Sequence, residues 1–308
     1  MNLAAIDIGS NAARLLITSV EILKNGNPFF NKLNLIRVPL RLGFDVFENK
    51  IISPAKEKMM IETMMSFNHL MQAYQVENYK AYATSAMRDA KNAKEIIQKI
   101  KDNSQINIEV ISGETEANLI FENHFAENLP KENSYLYIDV GGGSTELSFF
   151  NNGSFVSQKS FNIGTIRLLK NNAKDIDWDE MKSFVKTIVK VKGKIIAIGS
   201  GGNINKIFSL SKRKDGKPLP IQLLRDYYKE LESVSIDERI SKYGLRTDRA
   251  DVIVPALSIY INVMRWAEAD EILVPKIGMA DGLIKHLWNE ISSNSQTKTS
   301  NKSLFDKG

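Results

Sequence analysis

The chain predicts an α/β protein built as two domains, and three observations carry that expectation. Short apolar, β-branched runs alternate with amphipathic helical patterns, one strand–turn–strand unit occurs twice, and 308 residues exceed what one compact core usually holds. Residues 3–8, 79–84, 106–111, 135–140 and 194–198 read as strands. Between them, Ser53 followed by Pro54 supplies an N-cap and an N1 proline, and Met60, Met64, Phe67, Met71 and Tyr74 then recur at helical spacing. That methionine-rich stripe is expected to face a core rather than a ligand. His124 follows Ala117, Ile120 and Phe121 on one helical face and is read the same way. Residues 292–308 are Ser, Thr, Asn and Lys with little apolar content and predict a disordered tail.

Composition removes several chemistries. With no cysteine there are no disulfides, no thiolate nucleophile and no zinc site of the usual Cys type. The three histidines, His69, His124 and His286, are far apart, which leaves a hard cation on carboxylates as the expected metal. Lys and Arg exceed Asp and Glu by 41 to 36, a formal charge of +5 that suits a polyanionic partner without identifying one. No apolar run approaches the roughly 18 residues of a membrane span, and the opening MNLAAIDIGSN has no basic region before its apolar stretch. A cytoplasmic protein is expected.

The informative feature is the repeat. Ala5-Ile6-Asp7-Ile8-Gly9-Ser10-Asn11 is echoed by Tyr137-Ile138-Asp139-Val140-Gly141-Gly142-Gly143-Ser144-Thr145-Glu146, each an apolar strand, an Asp and a turn of glycine and small polar residues. The chain resumes in strand-prone residues after both turns (15–20 and 147–150), and the second copy reaches Asn152-Gly153, a strong hairpin signal. Glycines there let backbone N–H groups approach an anion, while Ser10, Asn11, Ser144 and Thr145 add side-chain donors. An Asp beside a phosphate is repelled unless a cation lies between them, so Asp7, Asp139 and Glu146 are candidate ligands of Mg²⁺. Two glycine-rich β-turns with exposed acids are the plainer alternative. The second turn lacks the third glycine of the dinucleotide fingerprint and does not enter a helix, and no Walker A loop is present. A third turn, Ser200-Gly201-Gly202-Asn203, leads into a helical pattern at 204–210, and either aims helix-terminal N–H groups at an anion or is an ordinary connection.

These residues resemble the exopolyphosphatase and guanosine pentaphosphate phosphohydrolase (Ppx/GppA) family of the actin- and hexokinase-like ATPase superfamily. The resemblance runs to about Trp288 and includes Ala83-Thr84-Ser85-Ala86-Met87-Arg88, Ile111-Ser112-Gly113-Glu114-Thr115-Glu116-Ala117-Asn118-Leu119-Ile120-Phe121, Gly164-Thr165-Ile166-Arg167, Gly199-Ser200-Gly201-Gly202 and Arg249-Ala250-Asp251-Val252-Ile253. It implies two ribonuclease-H-like domains facing each other across a cleft: residues 1–129, residues 130–282, and a helix at 283–291 packing back on the first. It also implies hydrolysis of a terminal phosphoanhydride of polyphosphate or guanosine pentaphosphate with Mg²⁺, Mn²⁺ being the alternative. Glu116 would orient or deprotonate the water, Arg88 would meet phosphate charge, and Ser10, Asn11, Gly141, Gly142, Gly143, Ser144 and Gly201 would bind phosphate. The partners expected are polyphosphate or the guanosine penta- and tetraphosphates, with a homodimer and neither a membrane nor a specific nucleic acid.

Each assignment has a plainer counterpart. Glu114 and Glu116 also suit a helix N-terminus electrostatically, and Arg88 has Asp89 beside it. Arg167 and Lys206 are weaker candidates for more distant phosphates, and Arg249 and Asp251 suit the start of the following helix. Ala12 stands where relatives commonly carry Ser, Asn203 follows Gly202 where Thr or Ser is frequent, and residues 275–282 form a longer segment than usual. The helical domains that follow in longer relatives are expected to be absent, reducing grip on long chains. A small-molecule kinase of the same superfamily and a non-catalytic polyphosphate or alarmone sensor are the competing readings.

Overall fold

The structure, a computed structural model, describes residues 1–121, 130, 132–190, 194–275 and 278–305. His124 lies outside them. β1 (Asn2–Ile8), β2 (Ala13–Ile22) and β3 (Pro28–Val38) form an antiparallel meander. β4 (Asn78–Ala83) runs parallel to β1 on its other side and β5 (Glu109–Val110) follows it, giving the order β3-β2-β1-β4-β5. The second sheet repeats the plan. β6 (Ser134–Val140), β7 (Thr145–Asn151) and β8 (Ser154–Phe161) make the meander, and β9 (Ile195–Ser200) lies parallel to β6. β11 (Glu271–Leu273) extends the parallel side, and β10 (Leu219–Pro220) adds an antiparallel edge.

Period-two alternation divides each central strand between two layers. On β1, Ala4, Ile6 and Ile8 enter a core with Met60, Met64, Phe67 and Met71 of α2 (Pro54–Ala73) and Ile96 and Ile100 of α4 (Ala93–Ser104). The methionine stripe is therefore core. On β6, Leu136, Ile138 and Val140 face α7 (Asp175–Ile188), α8 (Gly202–Leu210), α9 (Ile221–Glu232) and α12 (Ile253–Trp266). The remaining residues, Leu3 and Ala5 on one strand and Tyr135 and Tyr137 on the other, share a third cluster. Leu119 of α5 (Gly113–Phe121) and Leu283, Ile284 and Leu287 of α13 (Met279–Phe305) complete it. Asp7 and Asp139 continue the same parity, so both end their strands on the faces turned toward this shared layer.

Short elements finish the fold: α1 (Gly43–Asn49), α3 (Ser85–Asp89), α6 (Thr165–Leu169), α10 (Ile236–Tyr243) and α11 (Thr247–Ala250). Asn152 and Gly153 take φ of 50° and 74°, as the β7–β8 hairpin turn requires. Ser53 is extended before Pro54, but its side chain makes no cap; its N–H instead donates to Asp45 Oδ2 at 3.0 Å. Of the strand expected over 106–111, only Glu109 and Val110 pair with β4, while Ile106 and Ile108 bury their side chains without joining the ladder. α13 continues through residues 292–305, where the sequence predicts a disordered tail. No helix among the described residues is long and apolar enough to cross a membrane.

Candidate active site

The duplicated turns have the same backbone closure. Gly9 N–H donates to Ala12 O at 3.0 Å, and Gly141 N–H donates to Ser144 O at 2.9 Å. They meet in space: a Cβ on Gly142 would lie 2.9 Å from Ser10 Cβ, and one on Gly143 would lie 3.0 Å from Ser10 Oγ. Ser10 Oγ is hydrogen-bonded at 2.8 Å to Ser85 Oγ at the start of α3. Both turns open on one cleft of about 390 Å³, lined by Asp7, Ser10, Asn11, Glu116, Asp139, Gly141, Gly142, Ser144 and Gly201 among others. Gly143 is not in that lining; its carbonyl accepts from Arg167 Nε at 2.6 Å and its Cα faces Phe47. Asn11 reaches away through Nδ2 to the Asp248 carbonyl at 2.9 Å.

Glu116 arrives on α5. Ser112 caps that helix by accepting from Thr115 N–H at 3.0 Å. Gly113 permits a close approach to the second sheet, since a Cβ there would sit 2.4 Å from Ser160 Oγ. Ser160 Oγ donates to Glu146 Oε1 at 2.8 Å, so the packing that seats α5 also brings its acid toward Glu146. Glu116 is buried and Glu114 is exposed. The Oε2 atoms of both Glu116 and Glu146 are buried without a hydrogen-bond partner.

Such a cluster disfavours its own ionisation. Burial, followed by the charges of Glu146, Asp139 and Asp7, pushes Glu116 well above the ordinary carboxylate range, against the opposing pull of Arg88. Burial and then Asp139 push Glu146 up to about 7, while Ser144 and Ser160 hydrogen bonds oppose the shift. Asp139 rises to about 6, chiefly from burial, with Arg14 and a hydrogen bond from Ser200 working the other way. Asp7 is raised by burial but is clasped by Arg14 Nη1 at 3.0 Å. Among the described residues no three His, Asp or Glu side chains are spaced to hold a metal ion alone. The orphaned carboxylate oxygens nevertheless fit a cation of the Mg²⁺ kind, which takes one or two carboxylates and fills its shell with water and substrate oxygens.

Arg88 is not in the cleft lining; its Nη1 donates to Ile111 O at 2.6 Å, and its charge reaches Glu116 and Glu146. Arg167 is buried against the first half of the molecule, away from the cleft, which its expected contact with distant phosphates does not match. The reason is local, because α6 begins directly on the second turn and aims the side chain across the seam. A set of cations that sequence reasoning largely misses also lines the cleft: Arg14, Lys32, Arg37 and Arg249. Arg37 pairs with Asp248 at 2.5 Å, and Lys32 pairs with Asp281. Arg249 packs over Gly202, and burial followed by repulsion from Arg37 lowers it to about 10. The signal for Arg14 is its place seven residues after Asp7, as Glu146 stands seven after Asp139. Gly201, at φ 111°, turns the third loop beside Asp139.

Similarity to known proteins agrees with this arrangement. The family model for the Ppx/GppA phosphatase family matches residues 22–290. A bifunctional 3-dehydroquinate synthase/phosphatase of Fusobacterium nucleatum is 26% identical over 88% of this chain and 44% of its own length. A guanosine-5'-triphosphate,3'-diphosphate pyrophosphatase of Pseudoalteromonas translucida is 27% identical over 92% of this chain and 57% of its own. The chain thus spans about half the length of the curated relatives it matches. Among solved structures, an exopolyphosphatase from Cytophaga hutchinsonii superposes with a TM-score of 0.78 at 22% identity, covering 94% of this chain and 98% of that one. The Aquifex aeolicus Ppx/GppA family member gives 0.73 at 24%, covering 94% and 98%. These likenesses show the two-domain actin-like ATPase fold that the twin sheets display. With two equivalent turns meeting over one acidic cleft and the family model covering most of its length, the chain belongs to the Ppx/GppA phosphatase family.

Proposed function

We propose that the protein releases the terminal phosphate of inorganic polyphosphate, guanosine pentaphosphate or both, by in-line attack of water. The observation that supports this most is the meeting of Ser10 with Gly142 and Gly143 over a cleft in which Glu116 holds an unpartnered carboxylate oxygen. Backbone and hydroxyl donors of the two turns bind the terminal phosphoryl group from both sides, and Arg14, Arg37 and Arg249 hold the phosphates behind it. Asp139 and Glu146 would hold a Mg²⁺ or Mn²⁺ ion. When bound, that ion would neutralise the charge of the phosphate group.

Glu116 orients the water and takes its proton as the new P–O bond forms, while the bridging oxygen leaves with the shortened chain. Its raised proton affinity suits a base. The bland role at a helix N-terminus does not account for Glu116, which is buried beside other acids while Glu114 stands in solvent. Residues 1–129 and 130–282 are proposed as the two halves, with α13 returning to the first, and a cytoplasmic homodimer completes the reading.

Phosphate release from polyphosphate, guanosine pentaphosphate and ATP, each with Mg²⁺ or with EDTA, tests the proposal. Release from the first two that EDTA abolishes is expected. Tight binding without release supports a sensor instead, and transfer from ATP to an acceptor supports a kinase.

A further inference from the structure

We infer that Arg167 is a positioning residue, clasping the second phosphate turn to the first half of the molecule so that the donors of the second turn, and Glu116 beside them, stay aligned with Ser10 of the first turn. The inference rests on the hydrolytic reading above.

The turn and α6 form one stiff piece. Thr165 and Ile166 N–H donate to the carbonyls of Gly141 and Gly142 at 3.0 and 2.8 Å, and a Cβ on Gly164 would lie 2.5 Å from the Gly142 carbonyl oxygen. From that piece Arg167 reaches across the seam. Its Nε donates to Gly143 O at 2.6 Å, its Nη2 donates to Asp89 Oδ2 at 2.6 Å, and its guanidinium lies 4.2 Å from the centre of the Phe47 ring. Phe47 in turn abuts Gly143, where a Cβ would come within 2.3 Å of Cζ. Asp89 ends the same short helix that opens with Ser85, the partner of Ser10. One side chain therefore ties the second turn to the helix that supports the first. Lys170 to Glu48 and Asn172 to the Phe47 carbonyl, both at 2.5 Å, continue the seam outward.

A planar fork can serve two acceptors and a ring at once, whereas a lysine ammonium cannot. Ser10 belongs to the first turn and Gly141, Gly142 and Ser144 to the second, on whose sheet α5 also seats Glu116. A slip of about 1 Å along this seam misaligns attack and costs on the order of 100-fold in rate.

The test compares the full chain with Arg167→Gln, Arg167→Lys, Asp89→Asn and the Arg167→Gln/Asp89→Asn double variant, reading kcat and KM for phosphate release. Because the sequence has no cysteine, spin labels at Lys58→Cys and Lys182→Cys, exposed sites on α2 and α7, report the separation of the halves. For Arg167→Gln, kcat falls about 100-fold with KM within about 3-fold and the label distances broaden. Arg167→Lys restores only part of the loss, and the double variant is no slower than Arg167→Gln, because the Arg167–Asp89 pair that Asp89→Asn weakens is already gone. Parental kcat in Arg167→Gln, losses that multiply, or a label distribution as narrow as the parent's overturns the inference. Should Arg167→Gln fail to fold, Asp89→Asn, on a side chain 24% exposed, decides by the same readings. A parent that releases no phosphate strikes the hydrolytic reading instead, and the label distances then judge the clasp on their own.

Discussion

Arg14 and Glu146 hold the same place in the two hairpins, each directly across the ladder from the aspartate of its central strand. The duplicated unit is thus broken in charge. In the first copy the aspartate has its counter-ion built in, and in the second two carboxylates face each other with one oxygen unpartnered. The demand for a cation therefore falls on the second half.

Replacing Glu116 by Gln lowers kcat for phosphate release by about 10²–10⁴-fold, the usual contribution of a general base. Glu114→Gln, two residues away and exposed, stays within about 2-fold of the parent. Steady-state kinetics on both variants check the assignment, and equal activity in the two removes it.

The metal-free protein loses stability as pH rises. Asp139 and Glu146 are raised in the folded state to about 6 and about 7, so the folded chain binds more protons than the unfolded one between roughly pH 4 and 7. Stability from these groups is fully present below pH 4 and flat above the window. Within it, each pH unit over which one such group keeps its proton only in the folded chain removes about 1.4 kcal/mol. Mg²⁺ held by these acids would relieve the repulsion, so its addition is expected to raise Tm more at pH 8 than at pH 5. Melting curves with Mg²⁺ and with EDTA at both pH values show whether the difference has this sign.

Gly164→Ala destabilises by about 2 kcal/mol or more, because its Cβ would press on the backbone of Gly142 and Gly143 at 2.5 Å and neither can move without opening the turn. Gly9→Ala, whose Cβ would meet only the Ala12 carbonyl at 3.5 Å, stays within about 0.5 kcal/mol. Urea titrations of the two variants separate close packing from any general need for glycine.

Arg249→Gln is expected to raise KM for polyphosphate by about 10-fold and to flatten its dependence on salt, since the cleft loses one of its lining cations. The same change raises the stability of the ligand-free protein slightly, because burial and the Arg37 charge already oppose its ionisation. KM measured against ionic strength, together with Tm, tests both signs.

The twin strand–turn units, the helix over 54–73 and the third turn are legible because their signals are local: glycine, hairpin chemistry and periodicity. Asp7 and Asp139 converge as the repeat implies. Gly143 and Arg167 mislead for the opposite reason. A glycine beside cleft-lining glycines looks like a donor, and only the approach of Phe47 from another part of the chain shows that its missing side chain serves packing. The set of Arg14, Arg37 and Arg249 is equally hidden, since three arginines separated by up to 235 positions share no periodicity. The short pairing of β5 reflects tertiary burial of Ile106 and Ile108, which competes with the ladder for the same residues.

α13 lays Leu283, Ile284 and Leu287 against Leu3, Ala5, Leu16 and Val20, so residues made later cover residues made earlier. During synthesis the opening strands wait with a bare oily side until translation has passed through both halves. The earlier half can close its outer core while the later one is still being made, but its inner core stays open until α13 has emerged.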